Sequence, residues 1–303
     1  MTSALLALAL GTFSIVAADP ATGQIGVAVQ SKFPAVGAIV PAARAGAGAV
    51  ATQALANVAW REEALRLLGQ GIAADEVVRR LVAGDPQADD RQLGLVDAKG
   101  NAAAFTGKRC MDHASHLVGK GYAVQGNILV GRATVEAMAR AYEGARDAGR
   151  PLAERLLAAL EAGAAAGGDR RGQESAALLV VRPGGGYVGV GDVWVDLRVD
   201  DAPHPIAELR RLYRDVHQYY FGDTREVVRV DARVAREIQD HLAALGFYAG
   251  PRTAALDGPT RRALEDWQGF ENLEGRIRKG EEIDALVLAH LRRVAAERAG
   301  EAR

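Results

Sequence analysis

Hydrophobic and polar positions change period several times along this chain. From Thr12 to Asp19 and from Gln24 to Lys32, β-branched residues alternate with small or polar ones. Asp19-Pro20-Ala21-Thr22-Gly23 between them is turn chemistry, so the pair predicts a β-hairpin. Two shorter runs of the same texture, Gly37 to Pro41 and Ala47 to Gln53, predict two more strands before any helix. Then Trp60, Ala64, Leu67 and Leu68 recur at helical spacing, and Asp75 to Val82 predicts a second helix with acid in its first turn. Arg91 to Asp97 and Asn101 to Thr106 flank Ala98-Lys99-Gly100 as another hairpin, and Gly121 to Asn127 is a further strand. Val135 to Ala145 and Leu152 to Ala166 read as Ala-rich helices, after which Ser175 to Val181, Tyr187 to Val190 and Val193 to Val199 complete the strands.

Strands joined by tight turns and interrupted by helix pairs exclude a βαβ parallel sheet. The economical packing is α+β: two antiparallel sheets face to face with a helix layer outside each, a four-layer αββα sandwich. The texture changes near Tyr219 to Asp223, and from Val227 the chain is helical and charged, with turns at Gly250-Pro251 and Asp257-Gly258-Pro259. A boundary at 222–226 follows, separating a first domain over 12–222 from a small C-terminal all-α domain over 227–303.

Composition narrows the function classes. Of 303 residues, 49% are hydrophobic and 25% charged, enough for a sizeable core. Lys plus Arg (37) nearly balance Asp plus Glu (38), so no large field draws the chain to nucleic acid or anionic lipid. No run reaches the ~18 apolar residues that span a bilayer. The single cysteine, Cys110, excludes an intrachain disulfide framework. Residues 1–11 form an apolar leader with small residues at Ala9 and Gly11, without a basic start and below the roughly 15–30 residues of a secretory signal. Three readings remain open: a self-cleaved propeptide, the end of a signal peptide that starts upstream, and a misassigned start codon. Each ends at Thr12, and the compartment stays either cytoplasm or periplasm and cell wall.

A Thr that opens a strand becomes a nucleophile with its own base once the peptide bond before it is cut. The freed α-amine has an ordinary pKa of about 7.7–8.0, so it can take the proton from its own Oγ. The hairpin returns Gln30-Ser31-Lys32 beside Thr12, and a lysine there favours a neutral amine and an ionised Oγ; an ordinary strand-end Thr with a solvated Lys has the same sequence. A second constellation is Gly167-Gly168-Asp169-Arg170-Arg171-Gly172-Gln173-Glu174-Ser175, where glycines free the backbone and Asp169, Arg171 and Ser175 converge. A helix C-cap followed by a surface Asp–Arg pair is the plainer reading. Gln125-Gly126-Asn127 offers backbone N–H groups as oxyanion donors, or else a strand-to-helix turn with an Asn cap. Asp112, His113 and His116 are zinc-ligand types at a spacing that matches no strong motif, which favours a polar loop over a metal site. Gly184-Gly185-Gly186 reads as a hairpin loop, and no dinucleotide or phosphate fingerprint is present, so no cofactor is expected.

Together, Thr12 to Ala17, Gly26 to Phe33, Ala49 to Ala54, Arg91-Gln92, Thr106-Gly107, Gly121 to Leu129, Gly167 to Ala177 and Asp196 to Asp200 resemble an uncharacterised bacterial and archaeal family with an N-terminal-nucleophile (Ntn) hydrolase-like fold. The element order is also similar to a proteasome β-subunit. The resemblance implies Thr12 as nucleophile and base, Gly126 and Asn127 bordering the oxyanion site, and Asp169 and Ser175 beside the freed amine. Lys32 joins them only by hairpin geometry, with Gln30, Ser31 and Arg171 on the oxyanion and substrate side. The implied activity is hydrolysis of a small amide or peptide, in a homo-oligomer. Residues 227–303 resemble a peptidoglycan-binding module through Ile238-Gln239, Leu242, Leu245-Gly246-Phe247-Tyr248, Leu256-Asp257-Gly258-Pro259-Thr260, Ala263-Leu264 and Trp267-Gln268. A rival reading is therefore a non-catalytic cell-wall protein with the sandwich as scaffold, and a third is a metal-dependent hydrolase using Asp112, His113 and His116.

Overall fold

A computed structural model describes residues 11–222 and 226–301 of the chain. Residues 1–10 of the expected leader, and residues 223–225 of the expected boundary, lie outside them. Strands β1 (Thr12–Asp19) and β2 (Gln24–Ser31) form the predicted hairpin, with Thr12 opposite Ser31 and Asp19 opposite Gln24. Its turn closes because the Asp19 carboxylate accepts from the Ala21 N–H at 3.1 Å and Gly23 takes φ 70°, a conformation that costs glycine little.

Helix α1 (Val36–Ile39) leads into the second sheet, of β3 (Pro41–Arg44), β4 (Gly48–Ala54), β5 (Arg91–Asp97) and β6 (Ala102–Thr106), paired in that order. The first sheet is completed by β7 (Ser115–Gly119), β8 (Tyr122–Asn127), β9 (Ser175–Val181) and β10 (Val193–Val199), in the order β10-β9-β2-β1-β8-β7. Every pairing in both sheets is antiparallel.

The period of two along each strand decides what faces what. Val16 and Ala18 of β1 and Val27 and Val29 of β2 share one buried cluster with Ala49, Ala51 and Val96 of the second sheet, so the two sheets enclose a common core. Phe13, between inward-facing residues, points the other way and lies against Gly163 and Gly168. Helices α4 (Ala133–Asp147) and α5 (Leu152–Ala165) pack on each other, and α5 covers β1 and β2. On the second sheet, Val50, Leu93 and Leu95 pack with Trp60, Leu65, Val77 and Leu81 of α2 (Ala59–Gly69) and α3 (Ala74–Ala83). Each fully buried Val or Leu in these clusters contributes about 1.5–3 kcal/mol.

Three local expectations are corrected. Gly37 to Pro41 is not a strand: Val36–Ile39 makes one helical turn, closed by Val40 N–H on the Val36 carbonyl at 3.0 Å. Its Val36 N–H is anchored on Ser175 Oγ at 3.1 Å, which keeps Val36 and Val40 in the core. Tyr187 to Val190 is not a strand: Tyr187–Gly189 makes a 3-10 turn, with Gly189 and Gly191 at positive φ and Gly186 N–H closing on the Gly191 carbonyl at 3.0 Å. Strand β7 forms where a loop was expected, its short sequence Ser-His-Leu-Val-Gly paired along β8.

The chain divides into two compact units between Leu212 and Tyr213. After α6 (Pro205–Arg211), residues 212–217 take wider π-type spacing and continue into α7 (Gln218–Phe221). The second unit holds α8 (Ala232–Ala244), α9 (Gly258–Phe270) and α10 (Ala285–Glu301) around Val234, Ile238, Leu242, Leu264, Trp267, Leu288 and Leu291. Asp231 and Asp257 cap α8 and α9, each carboxylate accepting a backbone N–H three residues on. The unit is helical but not purely so, since β11 (Val227–Arg229) pairs with β12 (Glu282–Asp284) in a ribbon of three residues a side, too short to give a sequence signal. Among the described residues no helix is long and apolar enough to cross a membrane.

Candidate functional site

Thr12 sits at the buried end of β1, opposite Ser31 on one side and Asn127 on the other. Because directly opposed residues share a face, Thr12 and Ser31 come together: their hydroxyl oxygens are 3.0 Å apart. Ser31 Oγ donates its one proton to the Gly11 carbonyl at 2.5 Å, so in the Thr12–Ser31 bond the Thr12 hydroxyl is the donor. A second donor, Arg171 Nη2, reaches the same carbonyl at 2.9 Å. The peptide bond before Thr12 therefore has its carbonyl held by a hydroxyl and a guanidinium.

Arg171 is held in turn by Asp169. Its Nε and Nη2 lie 3.1 and 2.8 Å from the two carboxylate oxygens, a fork geometry that fixes the guanidinium plane. The backbone N–H groups of Arg171 and Lys32 add bonds of 2.9 and 3.2 Å to the same carboxylate, whose side chain is fully buried. The Gly-rich sequence permits this tight loop, with φ 109°, 56° and 104° at Gly167, Gly168 and Gly172. Arg170 N–H and Val130 N–H bind the carbonyls of Ile128 and Gly168 at 2.9 and 3.0 Å, tying the loop to the segment after β8.

The other expected residues divide. The Lys32 ammonium is turned to Glu174, at 3.2 Å, and to the Gln173 carbonyl; only its backbone N–H enters the cluster. The Ser175 hydroxyl donates to the Phe33 carbonyl at 2.5 Å and receives the Val36 N–H, securing the chain that leaves β2. Gln30, one residue from Ser31, falls on the opposite face of the sheet, where its amide approaches the Gly172 carbonyl at 3.5 Å. Gly126 contributes its carbonyl, which accepts from Gln92 Nε2 at 2.9 Å, and its missing side chain makes room for Leu129. Asn127 Nδ2 donates to Gln92 Oε1 at 3.1 Å.

Sequence reasoning missed the buried amide network behind Thr12. Gln53 donates to the Thr12 carbonyl at 3.2 Å and to Gln92 Oε1 at 2.8 Å, while accepting from Ser14 Oγ at 2.5 Å. Gln125 Nε2 donates to Ser14 Oγ at 2.6 Å, and Gly94 is opposite it because a Cβ there would overlap the Gln125 amide. Gln92 spans both sheets, from Gly126 to Thr106 and the Ser115 carbonyl. Ser14, Gln53, Gln92 and Gln125 are all fully buried. The signal was present: Ser14 lies two residues from Thr12, on the same face, and Gln53 and Gln92 stand among the buried residues of β4 and β5.

His113 and His116 do not converge. His113 Nε2 pairs with Ser115 Oγ at 3.1 Å and His116 Nδ1 with Thr106 Oγ1 at 2.8 Å, and burial holds the His116 imidazole below its usual range, favouring the neutral ring. Among the described residues no group of three or more His, Cys, Asp or Glu is placed to hold a metal ion. Burial pushes the Cys110 thiol up to about 11, which keeps it protonated and a poor nucleophile at neutral pH.

Residues 12–209 match the family described as "Family of unknown function (DUF1028)", and residues 221–291 match "Putative peptidoglycan binding domain". The crystal structure of protein SPO2555 from Silicibacter pomeroyi, itself a DUF1028 protein, is 33% identical with a TM-score of 0.62, over 71% of this chain and 92% of that one. No curated protein matches the chain. The match over residues 12–209 and the likeness to SPO2555 show that this chain belongs to the DUF1028 family.

Proposed function

We propose that the first unit is an Ntn-type amide hydrolase with an αββα sandwich fold, in which Thr12 is the nucleophile after loss of residues 1–11. The observation that carries this reading is the Gly11 carbonyl, polarised by Ser31 Oγ at 2.5 Å and Arg171 Nη2 at 2.9 Å, with the Thr12 hydroxyl donating to that same Ser31. Two donors aimed at one carbonyl next to a hydroxyl are the parts an acyl transfer needs.

The leader leaves in two balanced steps. Thr12 Oγ attacks the Gly11 carbonyl carbon, its proton passing to Ser31 Oγ as the Ser31 proton moves to the carbonyl oxygen. The tetrahedral intermediate forms without net charge change, while Arg171 donates to the same oxygen. Collapse breaks the C–N bond and returns the proton to the Thr12 nitrogen, leaving an ester between Gly11 and Thr12 Oγ. Water then hydrolyses the ester, giving a Gly11 carboxylate and a free Thr12 amine and hydroxyl. In turnover the free amine takes the Thr12 proton, Oγ attacks the substrate amide, and the departing amine carries that proton away; water, deprotonated by the same Thr12 amine, then hydrolyses the acyl ester, releasing the acid and restoring the Thr12 hydroxyl. Asp169 keeps the Arg171 fork in place, and the Gln53–Gln92 network fixes the ends of β1 and β8.

Intact-mass measurement tests the first requirement. Protein that is fully active yet retains residues 1–11 removes the mechanism, and Thr12→Ala is expected to keep the leader and lose turnover. A second reading concerns the C-terminal unit, whose family match points to peptidoglycan as partner. Co-sedimentation with insoluble peptidoglycan, comparing the full chain with residues 1–212, is expected to show binding only for the full chain; equal sedimentation of both removes this role.

A further inference from the structure

We infer that the acyl subsite beside Thr12 takes an unbranched acyl group, acetyl or glycyl, and rejects L-aminoacyl groups. This rests on the Thr12 hydrolase reading and specifies its substrate class. Gly11 supplies the acyl group joined to Thr12, and its carbonyl oxygen is held by Ser31 and Arg171. An acyl group delivered to Thr12 with its oxygen on the same two donors puts its first carbon where Gly11 Cα lies.

That position has no room for an L side chain. A Cβ built on Gly11 overlaps Arg171 Nη2 and lies 2.7 Å from Asp169 Oδ2 and 2.8 Å from Arg171 Cζ. The crowding atoms belong to side chains, and a flexible side chain usually yields. These two do not yield cheaply: the Arg171 fork is locked onto Asp169 through two bonds, and the Asp169 carboxylate is fully buried and pinned by two backbone N–H groups. Moving Arg171 also withdraws its bond from the carbonyl oxygen, so a substituent that fits does so at the cost of the group that polarises the amide. Because the subsite is bounded by an ion pair rather than an apolar wall, a methyl pressed there loses contact and solvation together. Adding one methyl where a pocket has space changes rates by roughly 10–200-fold; here the methyl meets filled space, so about 100-fold or more against L-alanyl is expected.

Two measurements test this. Protein beginning at Thr12, obtained by expression from a start codon placed directly before it, is assayed with the acetyl, glycyl, L-alanyl and L-leucyl amides of p-nitroaniline. The acetyl or glycyl amide is expected to exceed both L-aminoacyl amides in kcat/KM by about 100-fold, the two small arms showing which acyl source is preferred. In the full chain, Gly11→Ala is expected to slow leader release by a similar factor, read by intact mass on protein that circular dichroism shows to be folded. An L-alanyl amide as good as glycyl, or Gly11→Ala released at the wild-type rate, overturns the subsite while the Thr12 chemistry stands. If the wild type neither sheds its leader nor cleaves any of the four amides, the hydrolase reading falls and the subsite falls with it.

Discussion

Asp169→Asn probes the electrostatic centre of the site with almost no change of shape. Oδ1 accepts from Arg171 N and Nε at 2.9 and 3.1 Å, and Oδ2 from Arg171 Nη2 and the Lys32 N–H at 2.8 and 3.2 Å. Asparagine keeps one oxygen, so whichever way its amide turns, an NH₂ group faces two donors. One charge-assisted bond is lost, worth about 1.5–3 kcal/mol, and a backbone donor is left without its acceptor at about 1 kcal/mol or more. Breaking a fully buried ion pair costs about 3–5 kcal/mol, but the Arg171 side chain is 37% exposed and water takes up part of its charge. The total is therefore placed near the low end, about 3 kcal/mol. For a domain of this size class, each kcal/mol moves Tm by roughly 2–4 °C, giving a fall of about 6–12 °C. Calorimetry of the full chain is the suitable assay, since two compact units unfold in transitions that a single optical probe would merge. Leader release should slow at least about tenfold in the folded variant, because Arg171 loses the fork that aims it at the Gly11 carbonyl. A Tm within about 1 °C of wild type, outside the range just derived, would show that the Asp169–Arg171 pair holds nothing in place.

Gly94→Ala puts a methyl into the Gln125 amide and breaks its bond to Ser14, so a loss of about 2–4 kcal/mol is expected in a urea titration, against near-zero for Gly131→Ala, whose Cβ meets open space. Burial alone would raise the Asp85 carboxyl, but hydrogen bonds from Asn57, the Gln87 N–H and Arg91 outweigh it and hold the group below its ordinary 3.8. A depressed folded-state value means that the unfolded chain binds the proton first, so this stabilisation is complete above about pH 4 and lost as pH falls through the folded value. Asp85→Asn should flatten that part of a stability-against-pH curve, and an unchanged acid limb would contradict the assignment. Trp267→Ala empties the centre of the helical unit, where the ring is fully buried, and should cost about 3–5 kcal/mol in that unit's calorimetric transition while the other transition stays within error.

Much of the fold was legible because short-range patterns decide it. The β1–β2 hairpin and the helices α2 to α5 each follow from period or turn residues. Strand β7 was not legible, since Ser-His-Leu-Val-Gly has no periodicity of its own and is a strand only because β8 pairs with it. The Val36–Ile39 turn likewise depends on Ser175, far along the chain, to anchor it.

For the site, the sequence by itself determined that a hydroxyl opens β1, that Gln30-Ser31-Lys32 return beside it, and that a Gly-rich loop carries Asp169 and Arg171. Tertiary structure alone decided which of these meet. Lys32 turns to Glu174, Ser175 secures the chain leaving β2, and Gln30 falls on the far face, whereas Arg171 reaches across 160 positions to the Gly11 carbonyl. Gln53 and Gln92 join the site from the other sheet. The physical reason is that register and side-chain alternation are local quantities written in the order of residues. Which buried donor finds which acceptor depends on how two sheets and three loops close around the same few ångströms of low-dielectric space, where each polar group must find a partner from whatever the fold brings near.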